Sequence, residues 1–453
     1  MFSRREILAG VTAGTAQAML QAQSARRPNI VLFVADDLGC HDLGAWGATD
    51  LETPNIDALA AGGARFTNWY AAAPVCAPSR AALLTGRYPI RAGVPDNGPA
   101  LRPSEKTIAA VLKSTGYATG LFGKWHLGSI AETDPNAHGF DRFYGFHSGC
   151  IDYYSHRYYW GEPRVPNYHD LWRDRTEIFE DGQYTTELFA REAAQFVRDR
   201  RAGPFFAYLP FNAPHYPMHA PKKYMERFAS LPPERRTYAA MIAAMDEAVG
   251  QVRRTLRELQ LEDHTLVLFT ADNGATREAR AGLDGKPATA GNNAPFRGFK
   301  FSAFDGGMHV PMIMQWPGVI PKGRVVHELG SHVDLLPTIA KAAGVSPPAD
   351  RTLDGGDALP LAVTGARSGH DAIFWSIGGQ LAVRRGKWKL VNGGKLYDGS
   401  PEGGKALAGE DALFLSNLEE DPAESVNLRR QFPGMVDELA TLIQKWSDDV
   451  KNW

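Results

Sequence analysis

No single sign of charge predominates in this 453-residue chain. Lys plus Arg number 49 and Asp plus Glu 51, a formal net charge of −2. That balance excludes the basic footprint of a nucleic-acid binder and the polybasic patch of a membrane-surface protein. No run is long and apolar enough for a transmembrane helix, so stable membrane insertion is not expected. Cysteine is scarce: Cys40, Cys76 and Cys150, an odd number that leaves at least one unpaired. No internal repeat recurs.

Glycine (46) and proline (30) are plentiful, which predicts many ordered loops. The length suits one large domain plus a small one. The start is not fold. Ser3-Arg4-Arg5-Glu6-Ile7-Leu8 is a twin-arginine pattern, followed by a modest apolar stretch to about Leu20 and small residues from Ala22 to Ala25. Residues 1–25 therefore read as a Tat-type export signal, with the Tat machinery as a partner and a periplasmic or secreted bacterial location. A plain Sec signal or a frayed amphipathic start are the other readings.

Buried strands carry the chemistry at their ends. Asn29 to Ala35 is a continuous apolar run and predicts a buried parallel strand, with Asp36-Asp37 following directly. In open α/β sheets, ligands bind at the carboxyl ends of strands. His264 to Thr270 is a second such run, ending in Ala271-Asp272-Asn273-Gly274. Asp36, Asp37, Asp272 and Asn273 together offer three carboxylates and one amide oxygen. That hard, all-oxygen set suits Ca²⁺ or Mg²⁺ rather than zinc.

Other strand ends hold cations and histidines. Tyr117 to Phe122 leads into Gly123-Lys124-Trp125-His126-Leu127-Gly128. Lys124 and His126 point to one side if the backbone stays extended; alone, they fit a surface lysine and a satisfied histidine better than a site. Pro204 to Phe211 leads into Asn212-Ala213-Pro214-His215-Tyr216-Pro217, where two prolines restrict the backbone around a candidate proton donor. His147 to His169 is rich in Tyr, Trp, His and Arg. Tyr153, Tyr154, Tyr158, Tyr159 and Trp160 there fit either a ring-stacking surface or a loop packed by its own aromatics.

Cys76-Ala77-Pro78-Ser79-Arg80 opens a short apolar helix that stops at Gly86. Pro78 fits the first turn, and Arg80 lies one turn from Cys76 on the same face. A helix N-terminus and a neighbouring cation both favour a negative charge on the thiol.

Cys76-x-Pro78-Ser79-Arg80, followed by Ala81-Ala82-Leu83-Leu84-Thr85-Gly86-Arg87, resembles the signature of type I sulfatases, in the alkaline phosphatase superfamily. Asp36-Asp37-Leu38-Gly39, the Gly123 to Gly128 run and Ala213-Pro214-His215-x-Pro217 are similar to further motifs of that family. So is Arg297-Gly298-Phe299-Lys300 with Asp305-Gly306-Gly307-Met308-His309-Val310-Pro311, within Gly291 to Pro311, which looks most like the arylsulfatase A and N-acetylgalactosamine-6-sulfatase branch. Two departures stand out: Asp305 replaces the family's glutamate and His309 its arginine, which puts the local loop packing in question.

The resemblance implies an enzyme that hydrolyses a sulfate monoester, with a sulfated sugar or glycan as the expected substrate. It implies that a formylglycine-generating enzyme oxidises Cys76 to formylglycine (3-oxoalanine), whose hydrate attacks sulfur. Residue 76 would then join Asp36, Asp37, Asp272 and Asn273 around the cation. Lys124 and Lys300 would neutralise sulfate, Arg80 would hold residue 76, His215 would protonate the leaving alcohol, and His126 would assist sulfate release. With Cys76 converted, Cys40 and Cys150 could pair or remain separate thiols. The alternatives are a phosphate or phosphonate monoester hydrolase of the same superfamily, or a silent binder of sulfated glycans.

The expected fold is α/β: a large mixed, mostly parallel sheet flanked by helices, then a small C-terminal antiparallel sheet with a helix. The expected division is 26–369 for the catalytic domain and 370–453 for the C-terminal α+β subdomain, with Pro347 to Gly369 as a linker.

Overall fold

The computed structural model describes residues 27–160 and 167–451. The expected export signal lies outside the described residues.

The main sheet has ten strands. Their spatial order is Arg324–Val326, Ala64–Phe66, Met312–Gln315, Thr265–Ala271, Asn29–Ala35, Phe205–Pro210, Ala118–Lys124, Arg142–Phe146, Trp172–Arg173, Thr176–Glu177. The five from Thr265–Ala271 to Arg142–Phe146 run parallel. Their side chains are almost all buried, which is why they read as unbroken apolar runs rather than alternating ones. Antiparallel strands flank them on both sides. Register matters here. Ala35 pairs with Ala271, so Asp36 and Asp272 emerge side by side. Phe205–Pro210 and Ala118–Lys124 end at the same edge and deliver His215 and Lys124 to it.

Two sets of helices cover the sheet. The amphipathic helices Thr185–Arg200 and Pro233–Glu258 pack against each other. Cys76–Thr85, Ile108–Lys113 and Leu335–Ala342 form the other set. Thr107 caps the helix Ile108–Lys113, its Oγ1 accepting from the Ala110 N–H. Ala64–Phe66 and Trp69–Tyr70, close in sequence, belong to two different sheets. The expected linker Pro347 to Gly369 is a packed segment: it contains the short helix Leu359–Val363, and Leu361 and Ala362 join the main core.

The smaller sheet is Ile373–Ile377, Gln380–Arg385, Trp388–Asn392 and Leu413–Asn417, antiparallel in sequence order. The helix Pro433–Lys451 lies on it through Leu439 and Ile443, and the same stripe continues through Trp446 and Val450 onto Tyr88 and Val333 of the larger part. A buried ionic joint ties this sheet to the larger one. Lys389 Nζ is 2.6 Å from Asp305 Oδ1 and 3.2 Å from Glu424 Oε1. Tyr70 Oη donates to Asp305 Oδ2 at 2.6 Å, and Arg384 also bonds that hydroxyl. The departure at Asp305 therefore sits in the joint. His309 lies beside it, stacked on Phe296 and 3.5 Å from Asp305.

Candidate active site

The strand ends converge on one buried cluster. Lys124 Nζ contacts both Asp36 oxygens, at 3.0 and 2.7 Å. Arg80 donates to Asp272 Oδ2 from Nε and Nη2, at 3.0 and 2.7 Å, and its Nη2 is 3.4 Å from Asp36. Lys300 Nζ reaches Asp37 Oδ2 and Glu278 Oε2, each at 3.0 Å. Cys76 Sγ lies 3.5 Å from Asp36 Oδ1 at the first turn of its helix. Arg80, Lys124, Asp36, Asp37 and Asp272 are at most 1% exposed.

Charge balance decides the chemistry. Among the described residues, the buried Asp36, Asp37 and Asp272 and the half-buried Glu278 face three fixed cations, Arg80, Lys124 and Lys300. Burial alone would neutralise Asp36, but Lys124 and Arg80 outweigh it and hold this carboxyl below its ordinary value. Asp37 goes the other way. Burial pushes it up to about 7; Lys300 opposes this, while Asp36 and Asp272 add repulsion. Asn273 donates through Nδ2 to Asp37 Oδ1 at 2.8 Å, and its own Oδ1 is buried without a hydrogen-bond partner. An excess carboxylate and an unmet amide oxygen, all hard donors, fit a divalent cation of the Ca²⁺ or Mg²⁺ kind. One nitrogen of His215, Cys76 Sγ and one oxygen each of Asp36 and Asp37 lie within 4.8 Å of one another.

The thiol is not the expected nucleophile in its native form. Burial pushes the Cys76 thiol well above its ordinary value, outweighing Lys124 and Lys300. A neutral thiol is a poor nucleophile. The helix N-terminus and cations therefore do not produce a thiolate. Cys40 and Cys150 are buried and free, so the pairing that the sequence left open is not formed.

Both candidate histidines are neutral. His215 Nδ1 is 2.7 Å from the Tyr216 carbonyl, so Nδ1 carries the proton and Nε2 accepts from Lys300 Nζ at 3.2 Å. Burial, then Lys300 and Lys124, hold its pKa well below the ordinary value. His126 is held low by burial, then Lys124 and Arg80, and its Nδ1 has no partner. The extended backbone expected from Lys124 to His126 is not present. The strand ends at Lys124, and His126 has φ 60°, left-handed. His126 instead lines a cleft of about 530 Å³ with His147, Ser148, Tyr168, Asp170 and Trp172. Gly149 makes room for the ring: a Cβ there would lie 2.8 Å from His126 Nε2. Lys300 and Glu278 open on a second cleft of about 270 Å³, walled in part by Tyr397 and Ser400 from beyond the small sheet's third strand.

Several residues escaped the sequence reading. Glu278 partners Lys300 from a loop with no motif. Asn97 Oδ1 accepts the Ala77 N–H at 3.0 Å and so caps the Cys76 helix from afar. Ser79 Oγ donates to the Asp272 carbonyl at 2.6 Å and contacts His332, locking helix to strand end. Its place inside the Cys76 motif was the available signal. Most of the aromatic loop is structural: Tyr153 Oη donates to the carbonyls of Asn212 and His215, while Tyr159 and Trp160 pack on Tyr216.

A buried, carboxylate-rich cluster beside a helix N-terminus, at the carboxyl edge of a mostly parallel sheet, is a site that could hold a metal ion and act on a charged ester. Comparison with known proteins narrows this. The sulfatase family model matches residues 28–345, and the chain belongs to the sulfatase family, whose members are sulfuric ester hydrolases. It is 36% identical to N-acetylgalactosamine-6-sulfatase of Sus scrofa over 385 residues, covering 80% of this chain and 71% of that protein. It is 33% identical to human (Homo sapiens) arylsulfatase A over 489 residues, covering 98% and 90%. The crystal structure of Ps i-CgsB in complex with k-i-k-neocarrahexaose superposes with a TM-score of 0.83 at 33% identity, over 94% of this chain and 95% of that one. Family members use a formylglycine and a divalent metal.

Proposed function

We propose that this sulfatase removes sulfate from a sugar or glycan, with the strand-end cluster as its catalytic centre. The observation that carries the reading is the carboxylate-rich cluster around Cys76, three buried and a fourth half-buried, together with the unmet Asn273 oxygen. Asp36, Asp37, Asp272 and Asn273 would hold Ca²⁺ or Mg²⁺, which supplies Lewis acidity and turns a net negative cluster positive toward the sulfate anion. Oxidation of Cys76 to formylglycine would supply an oxygen nucleophile with a second ionisable hydroxyl, which an ordinary serine or cysteine lacks.

The chain's own residues do the rest. Lys124 and Lys300 bind sulfate oxygens, exchanging contacts with Asp36 and Asp37 for contacts with the substrate. Arg80, anchored on Asp272, fixes the first turn of the nucleophile helix. His215 starts neutral, hydrogen-bonded to the Lys300 ammonium. An incoming sulfate charge favours its protonated form, and Nε2 then delivers a proton to the leaving alcohol. His126, neutral and facing the larger cleft, takes the proton from residue 76 that accompanies sulfate release.

The substrate class rests on a relative named for N-acetylgalactosamine-6-sulfate chemistry and on a neighbour crystallised with a neocarrahexaose. The clefts beside His126 and Lys300 offer Tyr168, Trp172 and Tyr397 for sugar faces. Residues 26–369 form the catalytic domain in this reading and 370–453 the C-terminal subdomain. The Arg4-Arg5 pattern supports Tat export to the periplasm, and maturation requires a formylglycine-generating enzyme. Rates on matched sulfate and phosphate esters of one sugar test the reading. Preference for the sulfate ester is expected. Faster phosphate turnover indicates a phosphomonoesterase, and saturable binding without turnover a silent glycan binder.

A further inference from the structure

The aromatic loop also carries two histidines that the catalytic centre does not use. His156 and His169 are 0% and 7% exposed. His156 Nε2 lies 2.9 Å from the Gln183 carbonyl. A carbonyl only accepts, so Nε2 holds the proton and Nδ1 a lone pair. That Nδ1 is buried without a hydrogen-bond partner. His169 shows the same pattern with the nitrogens exchanged. Its Nδ1 donates to Glu177 Oε1 at 3.1 Å, leaving Nε2 buried and unpartnered. Asp181 Oδ2 is 3.9 Å from that Nε2. One nitrogen from each ring and one Asp181 oxygen lie within 4.8 Å of one another. A buried His156 lone pair, an unpartnered His169 nitrogen and the Asp181 carboxylate face one another, and a single cation can satisfy all three.

We propose that His156 Nδ1, His169 Nε2 and Asp181 bind a transition-metal dication, with zinc as the best chemical match. Two imidazoles and a carboxylate form a borderline-soft set that zinc takes and calcium does not. Each ring has its outer N–H tied to a carbonyl or carboxylate, the arrangement that orients metal-binding histidines. The ligand atoms lie within 4.8 Å of one another, His169 Nε2 and Asp181 Oδ2 at 3.9 Å, against the roughly 3.4 Å that two bonds of about 2.1 Å span at a tetrahedral angle. Asp181, with 51% of its side chain exposed, is free to swing inward. Water completes the shell. This centre differs in kind from the all-oxygen set at the strand ends.

Its role is to brace the wall of the larger cleft. The His156 carbonyl accepts from the Asp170 N–H at 2.8 Å. The Asp170 carboxylate accepts from the His147 and Ser148 N–H groups and from Trp172 Nε1. Three residues earlier, Tyr153 holds the His215 carbonyl. A metal at His156 and His169 thus pins the loop that shapes both the cleft and the proton donor's backbone.

The test is metal content. Calcium-loaded protein is dialysed against zinc with calcium in excess and counted by elemental mass spectrometry. Co²⁺ substitution gives a visible spectrum as a second readout. One zinc per chain and the intense bands of four-coordinate Co²⁺ are expected. His156→Gln with His169→Gln should abolish both, and Asp181→Asn should weaken zinc binding by about tenfold or more. Asp181 is exposed, so that variant reports even if the double variant does not fold. A wild-type protein without zinc, or an Asp181→Asn protein with undiminished zinc affinity, overturns the proposal.

Discussion

Two regions of this molecule bury opposite charges together, yet only one looks built to react. At the joint between the sheets, Asp305 and Glu424 meet Lys389 and Arg384, two carboxylates for two cations. Phe304 and Trp375 lie against the Lys389 ammonium, and Tyr70 closes a further side. At the strand ends, four carboxylates meet three cations, one amide oxygen is unmet, and residues of the cluster open on clefts. Buried charge alone therefore does not mark a functional site. Unmet bonding capacity beside an opening does.

That contrast breaks if the wrong cluster proves chemical. The largest effect is expected from Cys76→Ala: turnover should fall on the order of 10⁶-fold, with the fold kept. Steady-state rates and thermal melts check both halves. Exhaustive chelation should come next, costing roughly 10³-fold or more, because a bound cation contributes several kcal/mol to transition-state charge stabilisation. Added Ca²⁺ or Mg²⁺ should restore the rate, and full activity in the chelated protein contradicts the metal assignment. His215→Ala should cost about 10²–10⁴-fold on sugar sulfates. The loss should shrink on aryl sulfates with acidic phenols, which leave without a proton; an equal loss on both removes His215 as the acid.

The joint should behave oppositely. Lys389→Met leaves buried carboxylate unpaired and should lower unfolding free energy by about 3–5 kcal/mol. The folded fraction should keep its kcat. A collapse of kcat at unchanged stability would make the joint part of the chemistry. The smallest effect is a pH slope. Burial raises the Glu424 carboxyl to about 7, with Lys389 opposing and Asp305 reinforcing. A carboxyl with a raised folded-state pKa stabilises fully below its ordinary value, 4.5, and loses that contribution as pH rises through about 7. Between those limits Glu424 should remove on the order of 1 kcal/mol per pH unit. Glu424→Gln should flatten that slope in denaturant titrations; an unaltered slope assigns it elsewhere.

The functional cluster was legible in sequence for a physical reason. Parallel strands buried on both faces must be continuous apolar runs, and their carboxyl ends must share an edge. Asp36 and Asp272 could thus be grouped without coordinates, whereas Lys124 and His215 joined them through the family motifs. Contacts made by loops could not. Glu278 and Asn97 reach the site through turns whose path no periodicity records. His126 arrives by a left-handed residue, so the two-residue spacing from Lys124 misdescribed its geometry although it did bring the ring to the cleft. The Cys76 thiol illustrates a different limit: helix dipole and cations can be read from sequence, but the burial that outweighs them cannot. The departures at Asp305 and His309 stood out against the family pattern, and only the fold shows that Asp305 belongs to the joint. His156 and His169 lie thirteen positions apart in an irregular loop, where nothing in spacing announces a pair.

The central claim is that residue 76 acts as an oxidised nucleophile within the cation-ready cluster. Its most direct test is the mass of the tryptic peptide spanning residues 66–80, from protein purified from its native producer. The account predicts loss of the cysteine sulfur and gain of an aldehyde oxygen at position 76. An intact thiol in fully active protein would contradict it.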